Sequence, residues 1–144
     1  MPFANYIYEY FSGIQSGKYT VGKWVRLIYE IIIAGLERGE YFFNAKKANK
    51  AIKFIENFCH HCEGREDLLK LEVWQKACVS VIFGIVDADG LRVFREVFIV
   101  IGRKNGKTLS HIWRILMENT ARKYIALRRS WIKRPLFTIT FTRC

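Results

Sequence analysis

The stretch V-F-I-V-I-G-R-K-N-G-K-T, residues 97–108, decides how this chain of 144 residues is expected to fold. Its first part, residues 97–101, is a short, continuous, mostly β-branched run, which is typical of a strand buried on both faces of a parallel sheet. Its second part is a glycine-bounded basic loop. A buried strand followed at once by such a loop predicts an α/β fold, with a helix that begins at Lys107.

The loop reads G-x-x-x-G-K-T, one residue tighter than the common phosphate-loop (Walker A) spacing. Its residue types suit a nucleotide, because Gly106 lets backbone N–H groups approach a phosphate at a helix N-terminus. Lys107 would reach the β- and γ-phosphates, and the Thr108 hydroxyl would help to hold Mg²⁺. The candidate nucleotide-binding residues of the loop are Gly102, Arg103, Lys104, Asn105, Gly106, Lys107 and Thr108. The alternative is a basic surface turn with solvated charges.

Helical patterns fill the chain before this strand. Apolar residues recur at helical spacing over residues 6–14 and 24–36, which predicts two amphipathic helices. The pattern from Leu71 to Val86 is also compatible with a helix, and the sequence D-A-D-G at residues 87–90 predicts a turn. We therefore expect a helix-rich lead-in to the strand and loop.

A third helix is expected to begin after Asn44, a suitable N-cap, and to reach the C-H-H-C sequence at residues 59–62. Cysteine and histidine are zinc ligands, but four consecutive helical positions cannot converge on one ion, and no second Cys/His cluster completes a site. Core cysteines with partly exposed histidines are the better interpretation. The helix also carries a basic stripe, interpreted first as a solvated face and second as a DNA contact, formed by Lys46, Lys47, Lys50 and Lys53.

Three blocks of sequence occur in order: F-I-E-N-F-C-H-H at residues 54–61, K-L-E-V-W-Q-K-A at residues 70–77 and F-R-E-V-F-I-V-I-G-R-K-N-G-K-T at residues 94–108. Together they resemble the large subunit of tailed-phage terminases, the ATP-driven motor and endonuclease that packages viral DNA. The resemblance implies an incomplete P-loop NTPase with a helix-rich N-terminal lead-in. The family often has a deviant phosphate loop with an early basic residue, which suits the irregular spacing.

The resemblance also implies a role for Gln75, beside Trp74, because the glutamine at this place in the family contacts adenine. The alternative is a buried tryptophan and a capping glutamine. The implied cofactors are ATP and Mg²⁺. The implied partners are double-stranded DNA, a small terminase subunit and the portal, with no membrane and no small-molecule substrate other than ATP. The chain would come from a bacteriophage or prophage.

The resemblance stops after Leu109, where the composition changes. Residues 110–144 carry eight Lys/Arg and one acid, Glu118, and a frameshift near Leu109 is the favoured explanation of this truncated pattern. The expected divisions are a helical lead-in (1–90), the first strand and phosphate loop (91–109) and an out-of-frame basic tail (110–144). One carboxylate cannot form a metal-binding pair, so no catalytic residue is assigned and the chain is expected to lack ATP hydrolysis.

Charge and hydropathy leave two rival interpretations open. The net charge is +11, of which +7 lies in residues 110–144, and this favours a small basic nucleic-acid-binding protein. The amphipathic first helices instead favour a helical interaction module. The longest apolar run, residues 27–36, is broken by Glu30 and is too short to span a bilayer, and the start lacks a secretory signal. We therefore expect a protein of the host-cell cytoplasm whose cysteines are mostly reduced.

Overall fold

The computed structural model of the chain describes residues 5–59, 68–100 and 138–143. The four helices of these ranges are α1 (Tyr6–Gln15), α2 (Lys23–Glu37), α3 (Ala45–Phe58) and α4 (Val73–Gly84). The strands are β1 (Phe42–Phe43), β2 (Ile85–Val86), β3 (Phe94–Val100) and β4 (Thr138–Arg143). The predicted helices of the lead-in are confirmed, and the described part of the chain is mostly helical with two antiparallel strand pairs.

Side-chain caps set where two of the helices begin. The Asn44 side chain accepts a hydrogen bond from the Lys47 N–H at 3.1 Å, so the predicted N-cap of α3 is confirmed. Asn5 caps α1 in a similar way through the Ile7 N–H at 3.3 Å. Each cap satisfies a backbone donor that has no partner within the helix. Helix α3 ends at Phe58, because Cys59 has an extended backbone, so it stops at the edge of the C-H-H-C sequence.

Helix α4 is the centre of the fold. Its residues from Ala77 to Gly84 are all buried and nearly all apolar, as expected of a helix segment that is surrounded by the core. The α3-side core contains Ala51, Ile52, Ile55, Leu69, Leu71, Cys78, Val79, Ile82 and Phe83. The α1/α2-side core contains Ile7, Tyr10, Ile14, Val25, Tyr29, Ile32, Ile33, Tyr41, Ala77, Val81, Ile85 and Phe94. Helix α4 contributes to both, so it joins the other helices into one body.

The predicted helix over residues 71–86 is shorter than the pattern suggested. The observed helix begins at Val73, and the last two residues of the predicted range, 85 and 86, instead form β2. Strand β2 pairs antiparallel with β1 through Phe42↔Val86 and Phe43↔Ile85. Ile85 and Val86 are β-branched and have partners in extended geometry, which favours a strand over another helical turn. The predicted turn at residues 87–90 is confirmed: the Asp87 carboxylate accepts from the N–H groups of Asp89 and Leu91.

Tyr41 connects α2 to the start of β3. Its hydroxyl donates to the Ile32 carbonyl at 2.9 Å, and its ring lies over Gly35, where a Cβ atom would overlap it. The ring also packs edge-on against Phe94, with 6.3 Å between centroids. A glycine at position 35 therefore allows the close approach through which the helical body holds the first residue of β3.

The neighbour of β3 differs from the expectation for a buried parallel strand. Among the described residues β3 pairs antiparallel with β4, in a register that includes Val97↔Phe141 and Ile99↔Ile139. Strand β4 belongs to the tail, for which the sequence analysis predicted no element. Its Thr-Ile-Thr-Phe-Thr alternation over residues 138–142 is the period of a strand, and it is the signal that could have identified it.

Candidate nucleotide site and adjacent surfaces

The seven loop residues predicted to bind phosphate, residues 102–108, lie outside the described residues, as does the helix expected at Lys107. The strand that leads to the loop is described. It runs to Val100, so the strand predicted for residues 97–101 is confirmed over its first four positions. Gly102 follows two residues after the end of β3. This order, a strand and then a glycine-bounded basic loop, is the one that a phosphate loop requires.

Gln75 lies at the N-terminal end of α4 and closes a capping box. Its side-chain carbonyl accepts from the Glu72 N–H at 2.8 Å, and the Glu72 side chain accepts from the Gln75 N–H in return. The side chain is nearly buried, with 9% of its surface exposed. Reciprocal bonds of this kind satisfy two backbone donors at the start of a helix. The structure therefore gives Gln75 the capping role that stood as the alternative to adenine contact.

Trp74 is partly buried and packs against both cores. It therefore fills the junction between the two sets of helices rather than standing beside an open site. Lys76, two residues further along α4, forms an ion pair with Glu56 of α3, with 3.0 Å between Nζ and Oε1. Its ammonium nitrogen lies 5.3 Å from the centre of the Tyr6 ring. The same Glu56 oxygen accepts from the Leu71 N–H at 3.2 Å. These contacts fix the start of α4 against α3 and α1.

The sequence analysis missed the Glu56–Lys76 pair. The two residues lie twenty positions apart, and neither periodicity nor a local motif relates them. The pair could have been found only by knowing which faces of α3 and α4 meet. It matters for the candidate site because it holds the first turn of α4, which carries Gln75, in place.

Cys78 and Tyr29 form a buried polar pair between α4 and α2, with 3.7 Å between Sγ and Oη. Burial raises the pKa of the Cys78 thiol to about 12 and holds the pKa of the Tyr29 hydroxyl well above its ordinary value. The thiolate is the nucleophilic form of cysteine, and it is disfavoured here. The pair is therefore a structural contact of the core and not a reactive site.

A shallow groove on the outer face of α3, called here the α3 groove, contains much of the predicted basic stripe. Its lining includes Lys46, Lys50, Lys53, Phe54, Asn57 and Phe58. Lys47 points elsewhere, and its ammonium group donates to the Gly90 carbonyl of the β2–β3 turn. The stripe predicted from four lysines is thus divided, with three on the groove and one tied to a turn.

Metal-binding groups and membrane spans were sought over the ranges that the structure describes. No cluster of three or more His, Cys, Asp or Glu residues there could hold a metal ion. Of the C-H-H-C sequence only Cys59 is described, and it is half-buried. No described helix has both the length and the hydropathy needed to cross a bilayer.

The comparisons with known proteins identify no family for this chain. No protein-family model, curated protein or solved structure matches it. The terminase resemblance therefore remains a prediction, carried by its three sequence blocks and by the order of strand and loop.

Proposed function

We propose that this chain is the front part of a terminase-like packaging ATPase and that its loop of residues 102–108 binds the phosphates of ATP. The observation that carries the proposal is the position of the loop, two residues beyond the end of β3. The three sequence blocks support it because they occur in family order, with α4 beginning in the second block and β3 lying within the third. In this proposal the fold is an incomplete P-loop NTPase with a helical lead-in.

Within the loop each residue type has a separate task. Gly102 and Gly106 let the backbone turn its N–H groups inward, and Lys107 neutralises phosphate charge. The Thr108 hydroxyl is the group that would hold Mg²⁺, which supplies further charge neutralisation when bound. The basic residues Arg103 and Lys104 add positive potential at the mouth of the loop.

Gln75 fits the adenine role only in part. Its carboxamide oxygen is engaged in the capping box, so adenine contact would have to use the amide nitrogen or require the box to open. We therefore propose phosphate binding by the loop as the main source of affinity, with Gln75 as a secondary contact. ATP turnover is not expected from these 144 residues, since Glu118 is the single acid after the loop.

The proposed partners follow from the terminase resemblance. They are double-stranded DNA, a small terminase subunit and the portal, and the proposed compartment is the cytoplasm of the host cell. The α1/α2-side core and the α3-side core would then provide the rigid lead-in from which β3 and the loop extend.

The test is nucleotide affinity of the purified chain, measured with a fluorescent ATP analogue in the presence of Mg²⁺. We expect saturable binding that weakens at least about tenfold in Lys107→Ala, because the lysine contacts the phosphates directly. Lys18→Ala removes the same charge from an exposed position before α2, away from the α3 groove, and serves as the matched control. Equal affinities for the wild type and Lys107→Ala would contradict the proposal, and phosphate release that depends on Lys107 would contradict the absence of hydrolysis.

A further inference from the structure

The α3 groove combines exposed aromatic rings with exposed positive charge. Phe54 and Phe58 are 43% and 70% exposed, and their rings lie 5.3 Å apart with an angle of 35° between their planes. The same helix buries Ala48, Ile52 and Ile55 on its opposite face. The two largest apolar side chains of α3 therefore face outward while smaller ones form the core contact, which is the reverse of what stability alone favours.

Among the described residues, no acid pairs with the lysines of the groove. Lys46, Lys50 and Lys53 are exposed at helical spacing, and no ion pair joins them to an acid in the described parts of the chain. The acid nearest in sequence, Glu56, is half-buried and pairs with Lys76 on the side facing α4. The groove therefore presents positive potential along about two turns of helix, next to two accessible rings.

We propose that the α3 groove binds single-stranded nucleic acid, with phosphates at Lys46, Lys50 and Lys53 and bases stacked on Phe54 and Phe58. Every base has a face that can stack on an aromatic ring, and neighbouring lysines gain affinity by releasing counterions from the phosphates. In a duplex the bases are already stacked on each other and cannot reach the rings. The single strand is therefore the ligand that uses both features of the groove.

An acidic protein is a weaker candidate for the same surface. A stable protein interface buries about 800 Å² on each partner, which is more than one face of a short helix offers. Single-stranded nucleic acid depends less on area, because its affinity comes from charge neutralisation and stacking. This inference is independent of the phosphate loop and assigns binding to α3 rather than to the basic segment of residues 110–144.

The experiment measures binding of a fluorescently labelled single-stranded DNA of about 12 nucleotides to the full chain at several salt concentrations. Phe58→Ala should weaken binding by about 5-fold or more, since one stacked ring is lost. A triple variant, K46Q/K50Q/K53Q, should reduce the slope of log affinity against log salt by about 2. Circular dichroism and the thermal midpoint would establish that both variants are folded.

Matched controls lie on α2 and in the segment just before it; on α2, Trp24 is 52% exposed and the Lys23 ammonium lies 4.8 Å from its ring. Trp24→Ala removes an aromatic ring whose exposure lies between those of Phe54 and Phe58, and K18Q/K23Q/R26Q removes three positive charges. Both controls should leave the affinity within about twofold of the wild type. Equal losses in the control and groove variants would overturn the assignment, because binding would then follow net charge alone.

Three further outcomes would also overturn it. Duplex DNA of the same sequence binding as tightly as the single strand would show that the rings take no part. A glutamate-rich peptide that competes for the groove more effectively than the single strand would indicate an acidic protein partner. Binding that survives both groove variants unchanged would lie elsewhere on the chain.

Discussion

Helices α3 and α4 pack against each other but bury their surfaces in different ways. Helix α3 has one buried face, with Ala48, Ile52 and Ile55 inward and lysines outward. In α4 every residue from Ala77 to Gly84 is buried. Helix α4 therefore provides most of the packing energy of the described fold, whereas the outer face of α3 contributes little to it. Substitutions should therefore act on stability in α4 and on binding in α3.

The largest expected effect is the loss of a core side chain from α4. Ile82 is fully buried, so Ile82→Ala should lower the free energy of unfolding by about 2 to 5 kcal/mol, through lost burial and the cavity that remains. Phe58→Ala removes a larger side chain from the exposed face of α3 and should change it by less than about 0.5 kcal/mol. Urea denaturation monitored by circular dichroism measures both. Similar losses in the two variants would break the contrast between the helices.

The next effect is a loss of stability at alkaline pH, which comes from the buried contact between Cys78 of α4 and Tyr29 of α2. The pKa of Cys78 is about 12 in the folded protein against an ordinary value of 9.0, and that of Tyr29 is also raised. In the unfolded chain the Cys78 thiol loses its proton above pH 9 and the Tyr29 hydroxyl above pH 10, while the folded protein keeps both protons. Stability is therefore fully present below pH 9 and falls as the pH rises toward 12, by about 2 kcal/mol at pH 10.5 for the thiol alone.

The measurement compares urea denaturation at pH 8 and pH 10.5 in the wild type and in Cys78→Ala. The variant should lose less stability over this interval, because it lacks the thiol that titrates in the unfolded state. An identical fall in both proteins would assign the pH dependence to other groups.

The smallest effect concerns Gln75, at the N-terminal end of α4, for which the terminase resemblance implies a contact with adenine. Gln75→Ala opens the capping box and should cost about 0.5 to 1 kcal/mol of stability. Gln75→Glu keeps an acceptor for the Glu72 N–H and should retain more of it. Nucleotide affinity separates the two roles of the residue: a purely capping Gln75 leaves it unchanged in both variants. A loss of affinity in Gln75→Glu without a loss of stability would favour adenine contact.

Local features of the fold were predictable where the determining residues are neighbours in sequence. Asn44 predicted the start of α3 because a cap and the N–H groups that it serves are within three residues. The D-A-D-G turn was predictable for the same reason, since one aspartate satisfies two nearby N–H groups. The end of α4 was not, because Ile85 and Val86 become a strand only when β1 lies beside them.

The features of the candidate site were likewise predictable only where they depend on residues that are close in sequence. The strand before residues 102–108 could be predicted from its own residues, since a continuous run of five apolar, mostly β-branched residues suits the pleated surface of a sheet. The sequence also determined the composition of the basic stripe on α3. Three features required the packed chain: which lysines share a groove with Phe54 and Phe58, the engagement of Gln75 in a cap, and the antiparallel neighbour of β3. These depend on contacts between distant segments, and burial and hydrogen-bond partners are properties of the packed chain rather than of any short stretch of it.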